Sequence, residues 1–339
     1  MLNNKVDKKN VAMTVLSLFS GCGGSDLGIE GGFSYLGKNY KKLPFKTHQA
    51  IDIDSRATES FQNNFNSQVI EKSITDVATS ELAKSDVVIG GFPCQSFSTV
   101  NPTKNPFDER AKLYKEMARI LGAIKPVAFI AENVRGLMVL KNGLIFKGAL
   151  NEFSKKGYRL SYKLLNAADY GVPQKRLRVF IVGIRKDLGF SYVFPKPTNS
   201  EKKINGLNRW VGINRIIDRT ANKNERYFFS KKAVLGMKRA KNNMKRGLAQ
   251  NLNKPCLTIT SHLAKVSLNS RDPVLLIDPK NELYRRFSPL EAARIQSFPD
   301  HFVFSGSDAD TYRQIGNAIP PVLMWYVANS LVIQLKRGS

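Results

Sequence analysis

Cys94 is placed where a thiolate could act. It follows Gly90-Gly91-Phe92-Pro93 and precedes Gln95-Ser96-Phe97-Ser98. A lone cysteine is more often a small buried hydrophobe than a nucleophile. Here it comes just after an apolar run, beside a proline that fixes the backbone, and a loop over a ligand site can expose a thiolate. Glu132, in Ala131-Glu132-Asn133-Val134, ends another apolar run. A carboxylate there can be a desolvated acid with a raised pKa, or a plain capping or ion-paired glutamate. In Gln174-Lys175-Arg176-Leu177-Arg178, the alternating Gln174, Arg176 and Arg178 would share one face of a strand. Such donors suit a planar polar ligand, although an ordinary solvated strand face has the same pattern. Finally, Phe19-Ser20-Gly21-Cys22-Gly23-Gly24 is a glycine turn, with Asp52 at the end of the next strand. Glycines let backbone N–H groups approach a ligand, and a carboxylate at that place accepts hydrogen bonds from ribose hydroxyls. The turn departs from Gly-x-Gly-x-x-Gly, because Asp26 stands where the third glycine belongs.

These groups can cooperate only if strand ends gather them. The apolar run 14–19 breaks at the glycine turn, and Ser25 to Ile29 can open a helix. A strand end at 50–54 precedes a helical stretch from Arg56 to Phe65. Residues 86–91 form a strand meeting glycine, Leu113 to Ile124 carries helical spacing, and 127–131 is a further strand. Strands alternating with helices predict an α/β fold with a mostly parallel sheet, whose ligands sit at the carboxyl ends of strands. Cys94, Glu132 and the glycine turn all fall at such ends. Ser288-Pro289-Leu290-Glu291 opens a helix with proline in its first turn, and a last apolar helix runs over about 321–335.

The chain has 339 residues, enough for one large domain or a large and a small one. Its 53 Lys and Arg against 27 Asp and Glu leave a formal charge of +26, which points to a polyanionic partner. Between Lys196 and Arg286 there are 21 Lys and Arg and 6 Asp and Glu, so this stretch carries +15. The strand–helix alternation fades in it, and a smaller basic lobe is expected. The organisation read from the chain is a polar tail at 1–12, a catalytic domain at 13–192, a basic domain at 193–283 and a C-terminal segment at 284–339 that returns to the first domain. The cysteines Cys22, Cys94 and Cys256 and the histidines His48, His262 and His301 have no metal-ligand spacing, so neither a disulfide framework nor a metal is expected. There is no apolar run of membrane-spanning length and no signal-peptide core after Met1, so an intracellular protein is expected.

Together the motifs resemble the DNA (cytosine-5)-methyltransferases of the prokaryotic restriction-modification type. The blocks that carry the resemblance are Phe-x-Gly-x-Gly-Gly at 19–24, Gly-Phe-Pro-Cys-Gln-x-Phe-Ser at 91–98, Glu-Asn-Val at 132–134, Gln-x-Arg-x-Arg at 174–178, Arg-x-x-x-Pro-x-Glu-x-Ala-Arg around 285–294 and Gln-x-Gly-Asn-Ala at 314–318. They stand in the family's order and cover about 13–192 and 284–335. The resemblance implies a Rossmann-like, S-adenosylmethionine-dependent domain and a smaller target-recognition domain in the basic segment.

It also implies roles. Cys94 would attack carbon 6 of cytosine, Glu132 would bind the N3 edge, Arg178 would bind O2, and Arg176 would order the Cys94 loop. Phe19, Gly21, Gly23, Gly24, Asp52, Ile53, Ile74, Pro93, Leu113 and Asn317 would form the S-adenosylmethionine pocket. Gln95, Ser98, Asn133, Val134, Gln174, Thr258 and Thr260 would meet the DNA or the flipped base. In two places the chain departs from the family pattern: Ser17 replaces an acidic residue, and Ser73 stands where an Asp usually reads the adenine amine, with Asp76 three residues on. The implied partner is double-stranded DNA, with a cognate restriction endonuclease, a monomeric state and a cytoplasmic, nucleoid-associated location. A related branch that methylates tRNA has a Cys-Phe-Thr insert that is absent here. A catalytically dead DNA-binding regulator would not keep Cys94, Glu132, Arg176 and Arg178 together. A dinucleotide oxidoreductase would leave Pro-Cys-Gln and the charge unexplained.

Overall fold

The computed structural model describes residues 12–93, 113–241, 249–264 and 273–338. A seven-stranded sheet is its centre, built from β1 (Met13–Leu18), β2 (Phe45–Asp52), β3 (Gln68–Glu71), β4 (Val87–Gly90), β5 (Ala128–Val134), β6 (Tyr158–Asn166) and β7 (Leu177–Arg185). Their spatial order is β3-β2-β1-β4-β5-β7-β6. The pairs from β3 through β5 are parallel, and β7 lies antiparallel between β5 and β6. The expected mostly parallel α/β fold is therefore present.

Near-continuous apolar runs make these strands because helices cover both faces of the sheet. Val15, Val87 and Ile130 belong to one apolar cluster; their chain neighbours Leu16, Val88 and Phe129 belong to the other. The first face packs on α1 (Gly24–Glu30) and on the buried side of the C-terminal helix Pro321–Gly338, including Val322, Leu323 and Val327. The second face packs on α3 (Leu113–Ile124) and α4 (Leu144–Lys155), through Met117, Leu121, Phe146 and Phe153. The helical run 308–337 is long and apolar enough to cross a membrane, yet half of its most apolar window is buried inside the fold.

The helix ends carry the signals that set them. Asp54 caps α2 (Ser55–Asn64) by accepting from the Arg56 and Ala57 N–H groups. Ser288 and Glu291 form a reciprocal capping box at Pro289–Ile295, with Pro289 in the first turn.

Gln174, Arg176 and Arg178 do not share one strand face as their alternation predicts. Gln174–Lys175 is a separate two-residue strand paired with Cys256–Leu257. Tight contacts from Gln174 N to Val172 O and from Arg176 N to Gln174 O bend the backbone, and β7 starts only at Leu177. The basic stretch thus returns to pair with the chain just before β7.

Among the described residues of 193–283 the elements are short: strands of two to four residues, 3₁₀ helices of three to five residues and the helix Lys231–Lys241. Val234, Met237, Val274 and Tyr284 form a small core of their own. Ile213, Ile216, Cys256, Ile259 and Leu275 instead join Phe287, Phe298 and Phe302 of the C-terminal segment. Just past the stretch, Arg285 and Glu291 are both fully buried and joined by contacts of 2.7 Å from each guanidinium NH group, and the pair reaches back into it through Asn222 Oδ1 and Asp218 N.

Candidate active site

A cavity of about 440 Å³ opens at the carboxyl ends of β1, β2, β4 and β5. Strand ends supply Phe19 to Gly21, Asp52 to Asp54, Gly91 to Pro93 and Glu132 to Val134. Arg176 and Arg178 enter from beside β7, and residues 313–314 and 316–319 close the far wall. The cavity therefore unites six separate sequence blocks, four of them at strand ends, as ligand sites of open α/β sheets do.

At one end, Phe19 holds a left-handed backbone angle of 53° and Gly21 one of 54°. A side chain added at Gly21 would meet nothing within 4 Å, so the space above this turn is open to a ligand. Asp52 closes the turn: its carboxylate accepts from Gly21 N at 2.7 Å and Asp54 N at 2.9 Å. Burial pushes the Asp52 carboxyl above the usual range, against those N–H bonds. Ile53 is 71% exposed and lies along the cavity. Gly23 and Gly24 shape the turn from behind, for a side chain at Gly24 would come within 2.6 Å of Ile319 O.

At the other end, Glu132 and Arg178 form an ion pair of 2.9 Å, Oε1 to Nε, both side chains nearly buried. Burial outweighs their attraction for both partners, raising the Glu132 pKa and lowering that of Arg178. A carboxyl that gains a proton readily, beside a fixed cation, can donate to one ring atom and accept from another. Asn133, also on the cavity wall, donates to Phe92 O at 2.9 Å, which fixes the strand end before Cys94. Cys94, Gln95 and Ser98 lie outside the described residues.

Arg176 is buried and spends its guanidinium on three carbonyls: Ile259 O at 3.1 Å, Gly316 O at 2.8 Å and Ala318 O at 3.0 Å. It brackets Asn317, which lines the cavity. Its Nε is buried with no partner among the described residues. Gln174 is fully buried, donating to Gln296 Oε1 at 2.6 Å and accepting from Ile259 N at 3.0 Å. Thr258 donates to Lys175 O at 2.7 Å.

Ile74 and Leu113 are not among the cavity-lining residues; Ile74 is buried in the core beside the sheet, and Leu113 packs against the same core. Nor do Gln174, Thr258, Thr260, Ser73 or Asp76 line the cavity. The pattern reading missed the strap across its rim, where Arg313 reaches Asp54 at 3.0 Å. The only hint was Asp54 two residues after Asp52, in a helix-capping place.

The comparisons agree with this arrangement. The profile of the family described as C-5 cytosine-specific DNA methylase matches residues 13–332. The Type II methyltransferase M.FnuDI of Fusobacterium nucleatum is 35% identical over 341 residues, covering 94% of this chain and 94% of its own. M.BsuRI of Bacillus subtilis is 34% identical, covering 96% of this chain and 81% of its own. Among solved structures, a DNMT2 mutant from Spodoptera frugiperda matches with a TM-score of 0.71 at 17% identity, over 94% of this chain and 99% of its own, which establishes likeness of fold. On the family profile and these relatives, the chain belongs to the C-5 cytosine-specific DNA methylases and is an enzyme that methylates cytosine in DNA.

Proposed function

We propose that this enzyme moves the methyl group of S-adenosylmethionine to carbon 5 of a cytosine flipped out of a specific double-stranded DNA sequence, through a bond between Cys94 Sγ and carbon 6. The observation that carries this reading is one cavity with Asp52 and the open glycine turn at one end and the Glu132–Arg178 pair at the other.

The donor fits the residues present. Phe19 and Ile53 offer apolar surfaces for an adenine, the Asp52 carboxylate suits ribose hydroxyls, and the bare turn at Gly21 leaves room for an amino-acid tail. Pro93 and Asn317 complete the wall. When bound, S-adenosylmethionine supplies an electrophilic methyl group and leaves as S-adenosylhomocysteine.

This chain's residues would do the rest. Carbon 5 of cytosine is a poor nucleophile, and attack of the Cys94 thiolate on carbon 6 makes it enamine-like. Glu132 would hold N3 and the exocyclic amine, with its proton on N3 neutralising the charge that attack creates. Arg178 would hold O2 and keep Glu132 oriented. Carbon 5 takes the methyl group, its proton is released, and the thiol is expelled as the ring double bond reforms. Arg176, with its Nε still to be satisfied, would steady the chain that follows Pro93. Gln95, Ser98, Val134, Thr258 and Thr260 would line the path of the extruded nucleotide. The 193–283 lobe would read the sequence, and its charge would grip the phosphates. A monomer completes the reading, together with an endonuclease for the same site, a pairing in keeping with the Type II designation of the relatives.

The test is DNA carrying 5-fluorocytosine at the target. Fluorine cannot leave as a proton does, so the wild type should form a denaturant-resistant complex and Cys94→Ala none. Trapping by the alanine variant would remove Cys94 as nucleophile.

A further inference from the structure

Asp26 is fully buried and idle in the chemistry above. It sits in the first turn of α1, directly after the glycine turn. Oδ2 accepts from Ser17 Oγ and Ser25 Oγ, each at 3.1 Å, and Oδ1 accepts from Thr47 Oγ1 at 3.0 Å. All three are hydroxyls, and among the described residues no cation pairs with it. The charged and titratable groups around it are few. Glu30 faces it from the same helix and is itself held by Thr47 N of β2 and, at 3.4 Å, by Lys46 Nζ. Cys22 of the turn is a neutral thiol whose pKa burial drives far up. The C-terminal helix meets α1 with the apolar Met324 against Gly28. A buried carboxylate without a cation is costly to ionise, so its charge state is open to influence from the site beside it.

One of its three donors reaches the site: Ser25 lines the same cavity as Phe19, Gly21 and Asp52. We propose that Asp26, acting through Ser25, is a positioning residue that makes this end of the cavity favour a cationic methyl donor over its uncharged-sulfur product. The inference rests on the S-adenosylmethionine reading. The two ligands differ by one methyl group and by the positive charge that leaves with it.

The hydrogen-bond count gives the device. Ionised, Asp26 can only accept, so the Ser25 hydrogen points inward and the cavity meets oxygen lone pairs with a negative charge behind them. Protonated, Asp26 must donate to one of its hydroxyls; the charge vanishes and the Ser25 hydrogen can turn outward. Burial pushes the Asp26 carboxyl up to about 7 against its three hydroxyl bonds, so both states occur near neutrality.

The test is calorimetric binding of S-adenosylmethionine and S-adenosylhomocysteine at pH 6 and pH 8.5, to the wild type, Asp26→Asn and Ser25→Ala. The quantity read is the ratio of the two affinities. Titration of the ligands themselves is common to all three proteins and cancels between them. For the wild type, preference for the donor should rise on going to pH 8.5 by about three- to tenfold more than in Asp26→Asn, the scale of one charge across a partly screened site. Ser25→Ala should flatten the change as Asp26→Asn does, while keeping the pH-dependent melting that Asp26 imposes. A wild-type ratio that moves no more than that of Asp26→Asn overturns the inference alone. A Ser25→Ala ratio that still moves overturns the relay. If the wild type binds neither ligand at either pH, the cofactor reading itself fails.

Discussion

Glu132→Gln separates what the carboxyl does for stability from what it does for chemistry. The side chain keeps its size and an oxygen facing Arg178 Nε, which lies 2.9 Å away in the wild type. Two point charges at that distance attract by about 6 kcal/mol at an effective dielectric of about 20. Burial of both partners opposes this, as the upward shift of Glu132 and the downward shift of Arg178 indicate. Removing one partner of a buried pair costs about 3–5 kcal/mol, and the retained hydrogen bond brings this variant below that range, to about 2–3 kcal/mol. The chemical loss is separate. An amide cannot protonate N3, and a positioned acid is worth about 10²–10⁴ in rate. Denaturant unfolding would read the first effect and single-turnover methylation at saturating DNA the second. A variant that methylates within tenfold of wild type refutes Glu132 as the proton donor. One that loses no stability refutes the ion pair as a net contributor.

Asp52→Ala should shrink the rise in melting temperature that S-adenosylhomocysteine gives the wild type, which at a hundred times Kd reflects about 2.7 kcal/mol; an unchanged rise would remove Asp52 from the ribose site. Charge reversals within 196–286 should lower the salt slope of DNA affinity by about one unit per lost phosphate contact and leave S-adenosylhomocysteine binding intact; an unaltered slope would place the phosphate grip elsewhere. For Asp26 the sign is that of an acid whose folded pKa, about 7, lies above its ordinary 3.8. The native state then holds the extra proton between those values, so stability falls as pH rises from about 4 to about 7 and is flat above. Asp26→Asn should remove that slope and melt higher than wild type at pH 8; equal slopes would show that Asp26 is not the titrating group.

The sheet was legible because parallel strands covered on both faces must be apolar throughout. The runs at 14–19 and 86–91 match β1 and β4 within a residue or two, and Leu113 to Ile124 matches α3 at both ends. Phe19 and Gly21 of the glycine turn, Asp52, Ile53, Pro93, Glu132, Arg178 and Asn317, read from short motifs or strand ends, line the cavity, whereas Gly23 and Gly24 lie behind it. What the pattern could not carry is where a strand stops being regular. Alternation over 174–178 looks like one strand, but its break depends on Cys256–Leu257 arriving from some eighty residues away to pair with Gln174–Lys175. Strand pairing at that separation leaves no local signal. For the same reason Arg176 reads as a site residue in the motif while its hydrogen bonds go to Ile259, Gly316 and Ala318.

That break explains how a basic stretch of short elements is anchored to the rigid central sheet. Outside its small core of Val234, Met237, Val274 and Tyr284, the 193–283 stretch relies on borrowed order. Gln174 and Arg176 hold Ile259 by its N–H and its carbonyl, and Arg176 then holds the carbonyls on either side of Asn317. Gly316 completes the contact, because a side chain there would come within 2.3 Å of the Thr260–Ser261 backbone. The strand that comes back from the basic lobe therefore docks against the wall of the cavity itself, one residue from Asn317. This junction tolerates changes of side chain in the returning segment, since its hydrogen bonds run largely to backbone atoms and demand of that segment only its path.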